Sequence, residues 1–205
     1  GNGEAIENFF YPLLKFLVWF EKLMVATPWP LMLLILAGLV YAGSRSWFLV
    51  VGTTITMLVI GFLGMWEDTM FTLALISVST ILCIIIGSPL GIWMSKSDRT
   101  QAFITPILDI MQTIPSFVYL IPIMMLLGIG KVPGLIAVCI YAIPPVVRLT
   151  NLGIRLVDKD VLEAADAFGA SPRQKLWTVQ MPLALPNIFA GVNQTIMMAL
   201  AMVVV

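Results

Sequence analysis

The 205-residue chain consists largely of apolar runs separated by short polar breaks, and this pattern restricts its fold more than any other feature. A helix needs about 20 mostly apolar residues to cross a bilayer. Five candidate runs follow one another and a sixth begins near the end: 30–43 (helped by 26–29), 47–66, 70–95, 102–127, 132–150 and 185–205. Because 60% of the residues are apolar and 11% are charged, against about 25% in soluble domains, most of the chain must lie in lipid. The sequence predicts an all-α polytopic membrane helix bundle of about six spans.

Several classes of function are excluded or disfavoured by composition. The chain has no histidine, which removes Ser-His-Asp and Cys-His catalysis and His-ligated zinc. Its zero formal net charge offers no electrostatic footprint for nucleic acid. Cys83 and Cys139 lie in apolar runs, so we expect small hydrophobic side chains that face lipid or are packed, rather than a disulfide or a metal pair. No metal site is expected.

The two ends of the chain differ from the runs between them. Residues 1–27 mix Glu and Lys with Phe and Leu, which predicts an amphipathic helix in the outer membrane interface, with a remnant of a longer N-terminal region as the alternative. Residues 28–205 are predicted to form the transmembrane domain. The run 201–205 has no charged or aromatic flank, so we expect the full-length protein to continue beyond it.

Basic residues distinguish the two sides of the predicted membrane domain. If the long polar segment at about 155–180 is cytoplasmic, alternation of the spans places eight of them inside: Arg45, Lys96, Arg99, Arg148, Arg155, Lys159, Arg173 and Lys175. The outer loops then carry only Lys131, together with Glu67 and Asp68. Cytoplasmic loops are enriched in Lys and Arg, so we predict this orientation.

The segment 151–180 is too charged to cross a membrane, and its residues favour two short capped helices. Asp160 and Glu163 have the spacing of a capping box at the start of the first helix. Ser171 and Gln174 have the same spacing at the start of the second. The segment is therefore predicted to be a helix pair in water or against a partner, with a plain connecting hairpin as the alternative.

Glycine, proline and alanine residues refine this prediction. Gly169 suits the left-handed position that ends a helix, and Pro172 suits the first position of the next helix. Pro182 and Pro186 are expected to end this element and open the last span. Three alanines leave a face of little bulk that another surface could approach closely: Ala164, Ala165 and Ala167.

The same segment resembles the EAA loop of binding-protein-dependent ABC importer permeases. Glu-Ala-Ala begins at Glu163, Gly169 follows six positions later, and Val-x-Met-Pro begins at Val179, where the family has Ile-x-Leu-Pro. The resemblance implies the type I ABC importer permease fold and a coupling helix that contacts an ATPase subunit. The residues implied in this contact are Glu163, Ala164, Ala165, Asp166, Gly169, Ala170 and Ser171.

Further stretches are similar to the quaternary-amine branch of these permeases, which includes the glycine betaine/proline permeases of osmoprotectant uptake. They are 111–122, 128–134, 141–145, 148–154, 168–173 and 191–195, and the similarity covers about 47–205. It implies cytoplasmic ATPase subunits that bind ATP and Mg²⁺, an external substrate-binding protein, a second permease copy and the inner or plasma membrane of a prokaryote. The chain has no Gly-x-x-x-x-Gly-Lys-Ser/Thr motif, so we expect no cofactor in it.

Prolines and polar residues suggest where a solute could pass. Pro115 and Pro122 are expected to break the fourth span, and Pro144 and Pro145 the fifth. Polar groups in spans should face the bundle interior, where they line a pathway or join helices. A quaternary ammonium has no N–H, so aromatic faces and methionines could recognise it, although ordinary packing also explains them. The pathway candidates are Met111, Gln112, Thr113, Ser116, Phe117, Tyr119, Tyr141, Asn193, Gln194 and Thr195.

Asp109 is the only acidic residue well inside a predicted span, and Arg148 is expected at a similar depth. An ion pair between them would relieve the burial cost of both charges. The sequence thus favours the permease subunit of an ATP-driven importer of glycine betaine or proline betaine, or of choline, carnitine or another quaternary amine. An ion-coupled transporter or channel is the alternative from another class, but it would require more intramembrane acids than Asp109.

Overall fold

The computed structural model describes the backbone of residues 2–128 and 130–203 and the side chains of 11–115, 118–128 and 130–203. Regular structure in this part of the chain is helical. The elements are α1 (Asn2–Ala26), α2 (Trp29–Ser44), α3 (Trp47–Phe62), α4 (Trp66–Lys96), α5 (Asp98–Thr113), α6 (Ser116–Leu127), α7 (Lys131–Arg155), α8 (Lys159–Ala167), α9 (Pro172–Gln174), a π-helical segment (Lys175–Gln180) and α10 (Met181–Val203). The chain divides into two compact units, Gly1–Leu75 and Ile76–Val205, and α4 begins in the first and ends in the second.

The first unit contains α1, α2, α3 and the start of α4. Residues 2–26 form the predicted helix, and α2 follows it at a bend of 108°. A small core joins α1, α2 and the start of α4 through Met24, Met32, Met70 and Ala74. The rest of α2 and α3 is largely exposed, which for apolar side chains in a membrane protein indicates contact with lipid or with another protein.

The second unit is built around α7, which supplies the largest share of its buried residues. Glycines allow its neighbours to approach it closely. An added Cβ at Gly87 of α4 would lie 2.5 Å from the Cγ1 of Val146, and one at Gly91 would lie 2.6 Å from the Cβ of Thr150. On α10, a Cβ at Gly191 would lie 3.0 Å from the Cβ of Leu149. Small residues at such contacts allow the backbones of two membrane helices to come close together.

The cysteines lie in this packed region. Cys83 of α4 is fully buried in the core of the second unit, and Cys139 of α7 packs against that core. Both are free thiols, and the Sγ of Cys83 lies 3.6 Å from the carbonyl oxygen of Cys139. The prediction that they are small hydrophobic residues and not a disulfide is confirmed, and both are packed.

Proline has opposite consequences in the fourth and fifth predicted spans. The run 102–127 is two helices, α5 and α6, that meet at 94°. Pro115 precedes the first residue of α6, so its predicted break is confirmed. Pro122 lies inside α6, which continues past it to Leu127, so the predicted break there is wrong. The predicted break at Pro144 and Pro145 is wrong, because both lie buried within a continuous α7. Close packing of α10 holds this stretch, since a Cβ at Gly191 would come within 3.2 Å of the Pro145 carbonyl oxygen.

Fewer helices than the predicted six meet the length of a membrane span. By length and composition, three helical runs of the described chain qualify (66–96, 131–155 and 172–203), or five if each bent pair is one span. The largest difference concerns 47–66, where α3 has only 16 residues. Gly64, at a φ of 76°, follows the end of α3 in the left-handed conformation that glycine adopts most easily.

Candidate functional site

The predicted coupling segment begins with an aspartate cap, two residues earlier than the sequence suggested. Asp158, not Asp160, caps α8, and its side-chain oxygen accepts a hydrogen bond of 3.0 Å from the backbone N–H of Asp160. Asp158 is non-helical at a φ of −55° and a ψ of 133°, so Asp160 already belongs to the helix and cannot be its cap. The predicted capping box between Asp160 and Glu163 is therefore wrong.

The end of α8 has the predicted glycine conformation. Gly169 has a φ of 75°, and its N–H donates to the carbonyl of Asp166 over 2.9 Å. The N–H of Ala170 donates to the carbonyl of Ala165 over 3.0 Å, so the turn satisfies the last carbonyls of the helix. This reversal leaves the ring of Phe168 92% exposed at the end of α8.

The second predicted capping box is present. The Oγ of Ser171 accepts from the backbone N–H of Gln174 over 3.3 Å, and the Gln174 side chain accepts from the N–H of Ser171 over 2.9 Å. Pro172 occupies the first helical position, as expected. Two separate local signals thus place this helix start.

The helix that starts at Pro172 does not end at Pro182 or Pro186, so that prediction is wrong. It continues through the π-helical segment into α10 as one run, 172–203. Within the π-helical segment the bonding widens, and the N–H of Met181 donates to the carbonyl of Leu176 five positions back. This wider turn just before Pro182 accommodates the missing proline N–H.

An ion pair joins the two arms of the coupling segment. The Nζ of Lys175 lies 2.7 and 2.8 Å from the two carboxylate oxygens of Asp166, linking α8 to the π-helical segment. Of the seven predicted coupling residues, Ala165 and Ala170 are half-buried and the others are exposed: Glu163, Ala164, Asp166, Gly169 and Ser171. The segment is therefore an ordered surface element whose exposed face is open to a partner.

Arg155, at the end of α7, connects the neighbouring helices. Its guanidinium donates to the Asp98 carboxylate over 2.7 Å and to the Met94 carbonyl over 2.9 Å. A third hydrogen bond of 3.1 Å runs from its Nε to the side-chain oxygen of Asn151. One side chain next to the coupling segment thus contacts the end of α4, the start of α5 and α7 itself.

A polar cavity of about 440 Å³ lies among α4, α5, α7 and α10. Its lining residues are Met94, Gln101, Thr105, Gln112, Pro145, Arg148, Leu149, Asn151, Leu152 and Gln194. Among the pathway candidates whose side chains the structure describes, only Gln112 and Gln194 line this cavity. The sequence signal that could have identified more of it is the spacing of Gln101, Thr105 and Gln112, which share one face of α5.

The predicted ion pair of Asp109 and Arg148 is present beside this cavity. The Nη2 of Arg148 donates to the Oδ1 of Asp109, joining α7 to α5. The Nε of Arg148 is buried without a hydrogen-bond partner among the described residues. The pair neutralises both charges but leaves donors of the guanidinium unused.

Tyr119 satisfies a backbone carbonyl that the break between α5 and α6 leaves without its helical partner. In an unbroken helix the carbonyl of Met111 would accept from residue 115, but Pro115 has no N–H. The hydroxyl of Tyr119 donates to that carbonyl instead, over 2.6 Å. The structure therefore gives this pathway candidate a structural contact that joins the two halves of the bend.

The other pathway candidates are dispersed. Asn193 lines a second cavity of about 500 Å³ with Gln194, while Thr195 is fully buried and its hydroxyl has no partner in the described part of the chain. Thr113 is exposed and donates to the carbonyl of Ile110. Met111 and Tyr141 pack against the core of the second unit. The side chains of Ser116 and Phe117 lie outside the described residues.

A known protein family matches the part of the chain that contains this site. The family described as binding-protein-dependent transport system inner membrane component matches residues 83–205, which contain the coupling segment and the polar cavity. The chain belongs to this family. The predicted family and its helical membrane fold are confirmed, and the permease is a multi-pass protein of the inner or plasma membrane.

Curated relatives extend the similarity towards the N-terminus. The permease is 49% identical over 186 residues to the glycine betaine/proline betaine transport system permease protein ProW of Escherichia coli, covering 91% of this chain and 52% of ProW. It is 47% identical over 180 residues to the glycine betaine/carnitine transport permease protein GbuB of Listeria monocytogenes, covering 87% and 64% of the two chains. It is 46% identical over 175 residues to the glycine betaine transport system permease protein OpuAB of Bacillus subtilis, covering 83% and 62%. The chain thus spans about half to two thirds of the length of these relatives.

Proposed function

We propose that this permease is the membrane-spanning subunit of an ATP-driven importer of glycine betaine or a related quaternary amine. The main support is that the Glu-Ala-Ala segment, in a chain 46–49% identical to three glycine betaine permeases, is an ordered, exposed helix with defined caps. Proline betaine, carnitine and choline are the other candidate substrates. The name of GbuB makes carnitine a direct candidate for measurement.

The exposed face of α8 is proposed to bind a cytoplasmic ATPase subunit. Ala164 offers little bulk at an exposed position, and Phe168 offers a 92% exposed ring at the end of the helix. An exposed aromatic side chain is a suitable anchor for a partner pocket. The coupling residues proposed for this contact are Glu163, Ala164, Ala165, Asp166, Gly169, Ala170 and Ser171.

Movement of the ATPase subunits would pass through this segment into the membrane. The ion pair of Asp166 and Lys175 links α8 to the helix that continues into α10. Arg155 links the other end of the segment to α4, α5 and α7. ATP and Mg²⁺ are proposed to bind only in the partner subunits, and an external binding protein and a second permease copy would complete the importer.

An ion-coupled transporter is less well supported by the arrangement of charges. Such a transporter needs intramembrane acids that bind a proton or cation. Asp109, the acid predicted to lie well inside a span, is engaged by Arg148. Its contact joins two helices, which suits a structural role better than an exchangeable cation site.

Uptake by membrane vesicles that contain the complete complex tests the proposal. We expect uptake of radiolabelled glycine betaine to require ATP on the side of the membrane that carries the ATPase subunits. Vanadate should inhibit this uptake, and an uncoupler should not. Inhibition by the uncoupler alone would contradict an ATP-driven importer. Competition by unlabelled proline betaine, carnitine and choline ranks the candidate substrates in the same assay.

Variants of the coupling segment test the role of α8. Glu163→Lys reverses an exposed charge, and Gly169→Val places a β-branched residue at a φ of 75°, where the strain is about 1–2 kcal/mol. Both are expected to reduce uptake and substrate-stimulated ATP hydrolysis at least tenfold while leaving the amount of permease in the membrane unchanged. Gly169→Asn is the matched control, because asparagine tolerates this conformation. Unchanged uptake and stimulated hydrolysis in both variants would exclude α8 as the coupling element.

A further inference from the structure

The polar cavity has a composition that the coupling role of the chain does not explain. Its polar lining consists of four carboxamides (Gln101, Gln112, Asn151 and Gln194), Thr105 and Arg148, and none of the described side chains that line it is acidic or aromatic. Its volume of about 440 Å³ lies within the range of small-molecule sites, about 300–1,000 Å³. The guanidinium only donates and carries a positive charge, and the carboxamides and the threonine can donate as well as accept, so this lining suits an anionic group on a small solute.

We propose that this cavity binds the carboxylate of the transported solute, with Arg148 as its main partner. The proposal rests on the importer function and narrows its substrate class to zwitterions that carry a carboxylate, such as glycine betaine or carnitine. Choline has the same trimethylammonium group but no carboxylate. The cavity would therefore discriminate between solutes that share their cationic end.

Arg148 has the unused donors that this role requires. Its Nη2 donates to Asp109, no described residue accepts from its Nη1, and its Nε is buried without a partner among the described residues, so Nη1 is the group left for a solute. A guanidinium has five N–H donors, so the pair with Asp109 leaves the group incompletely satisfied. A carboxylate that enters the cavity would supply acceptors to a cation that Asp109 already holds in position between α7 and α5.

Asn151 supplies a second donor of fixed orientation. Its side chain is 6% exposed, and its Oδ1 accepts from Arg155 over 3.1 Å. Because that oxygen is engaged, the side-chain NH₂ is the group that remains for other partners, and no described residue accepts from it. Asn151 thus places a donor in the lining one helical turn from Arg148.

The apolar part of the lining suits the rest of such a solute. Met94, Leu149 and Leu152 provide surface for methyl groups, which cannot donate hydrogen bonds. The ion pair of Arg148 and Asp109 has no net charge, so a zwitterion adds no uncompensated charge when it enters. A simple cation or a simple anion would add one.

Protection from alkylation tests the site in the complete importer complex. Gln112 lines the cavity, whereas its neighbour Thr113 is also exposed on α5 but does not line it. In Gln112→Cys, saturating glycine betaine is expected to slow labelling by a charged maleimide at least threefold, both without nucleotide and in the vanadate-trapped state. In Thr113→Cys it should have no effect. The chain with only Cys83 and Cys139 gives the background labelling.

The choice of solutes separates carboxylate recognition from other binding. Choline should need at least a tenfold higher concentration than glycine betaine for equal protection, and inorganic phosphate should protect poorly at all concentrations used. Equal protection by choline, or equal protection by phosphate, would overturn the proposal. Absence of protection by glycine betaine in both nucleotide states would also overturn it.

The double variant Arg148→Gln with Asp109→Asn tests the assigned partner without leaving an unpaired charge. It keeps two hydrogen-bonding amides in place of the ion pair, so it is expected to assemble. In the Gln112→Cys background it should lose glycine betaine protection, whereas Arg148→Lys should retain part of it. Full protection in the double variant would exclude Arg148 as the carboxylate partner. ATP-dependent glycine betaine uptake by the native complex is measured first, so failure of the site and failure of the importer function give different results.

Discussion

Two apolar helices of this permease, α7 and α3, have opposite surroundings. Thirteen of the 25 residues of α7 are buried, although it contains Lys131, Arg148 and Arg155. Only Val50 is buried among the 16 residues of α3, which has no charged residue at all. In lipid, apolar surface gives no preference for protein contact, so helices associate through close packing and polar contacts. Close contacts at glycines of the neighbouring helices α4 and α10, not hydrophobicity, therefore distinguish the surroundings of α7 from those of α3.

The largest effect expected from this difference is at glycines. In Gly91→Ala, the new Cβ would lie 2.6 Å from the Cβ of Thr150 and 2.7 Å from the carbonyl of Val147, so α4 must move away from α7. Overpacking of this kind costs about 1–3 kcal/mol, so we expect the melting temperature of the purified permease to fall by several degrees.

Gly52→Ala on α3 is the matched control, because nothing lies within 4 Å of its added Cβ. Its melting temperature should remain that of the native chain, as measured by tryptophan fluorescence during heating. A similar loss at both positions would show that α3 is packed as closely as α7 in the assembled protein, and the contrast between the helices would fail.

A smaller effect is expected where the two helices meet their loops. Arg155→Gln removes hydrogen bonds to the Asp98 carboxylate and the Met94 carbonyl, each a contact between α7 and another element. Because the Arg155 side chain is 30% exposed but its partner Asp98 is 91% exposed, the loss should be only about 1–2 kcal/mol. Arg45→Gln, in the loop before α3, is the control for removal of an exposed cation.

The Arg155 variant also reports on transmission of movement. Stimulation of ATP hydrolysis by glycine betaine should fall in Arg155→Gln and stay native in Arg45→Gln, measured in the reconstituted complex. Native stability together with native stimulation in Arg155→Gln would show that its contacts are dispensable.

Local signals predicted the coupling segment better than any other part of the permease. The cap at Ser171 and the left-handed Gly169 depend on residues within one turn, so the sequence contains the whole interaction. The error at Asp160 is also local, since Asp158 has the same side chain and differs only in where the backbone becomes helical. Motifs of this range need no knowledge of the tertiary fold.

Predictions that depend on packing were less successful. The same proline rule gave the correct break at Pro115 and a wrong one at Pro144, because α10 packs against α7 there. The polar cavity assembles Gln101, Arg148 and Gln194 from three helices, and no spacing along the chain brings these residues together. Pairwise reasoning did find Asp109 and Arg148, since opposite charges in lipid have few other partners.

The smallest expected effect concerns hydroxyls on the same two helices. The Oγ1 of Thr150 in α7 is buried and has no partner among the described residues, whereas the Oγ1 of Thr53, a half-buried residue of α3, donates to the carbonyl of Leu49 over 2.8 Å. Valine keeps the shape of threonine but removes the hydroxyl. Because an unpaired buried hydroxyl is unfavourable, Thr150→Val should raise the stability of the permease by up to about 1 kcal/mol, while Thr53→Val should leave it unchanged. Unfolding in detergent with both variants measures the difference. Destabilisation by Thr150→Val would mean that the hydroxyl has a partner in the assembled protein, and burial in α7 would then depend on a specific polar contact as well as on close packing.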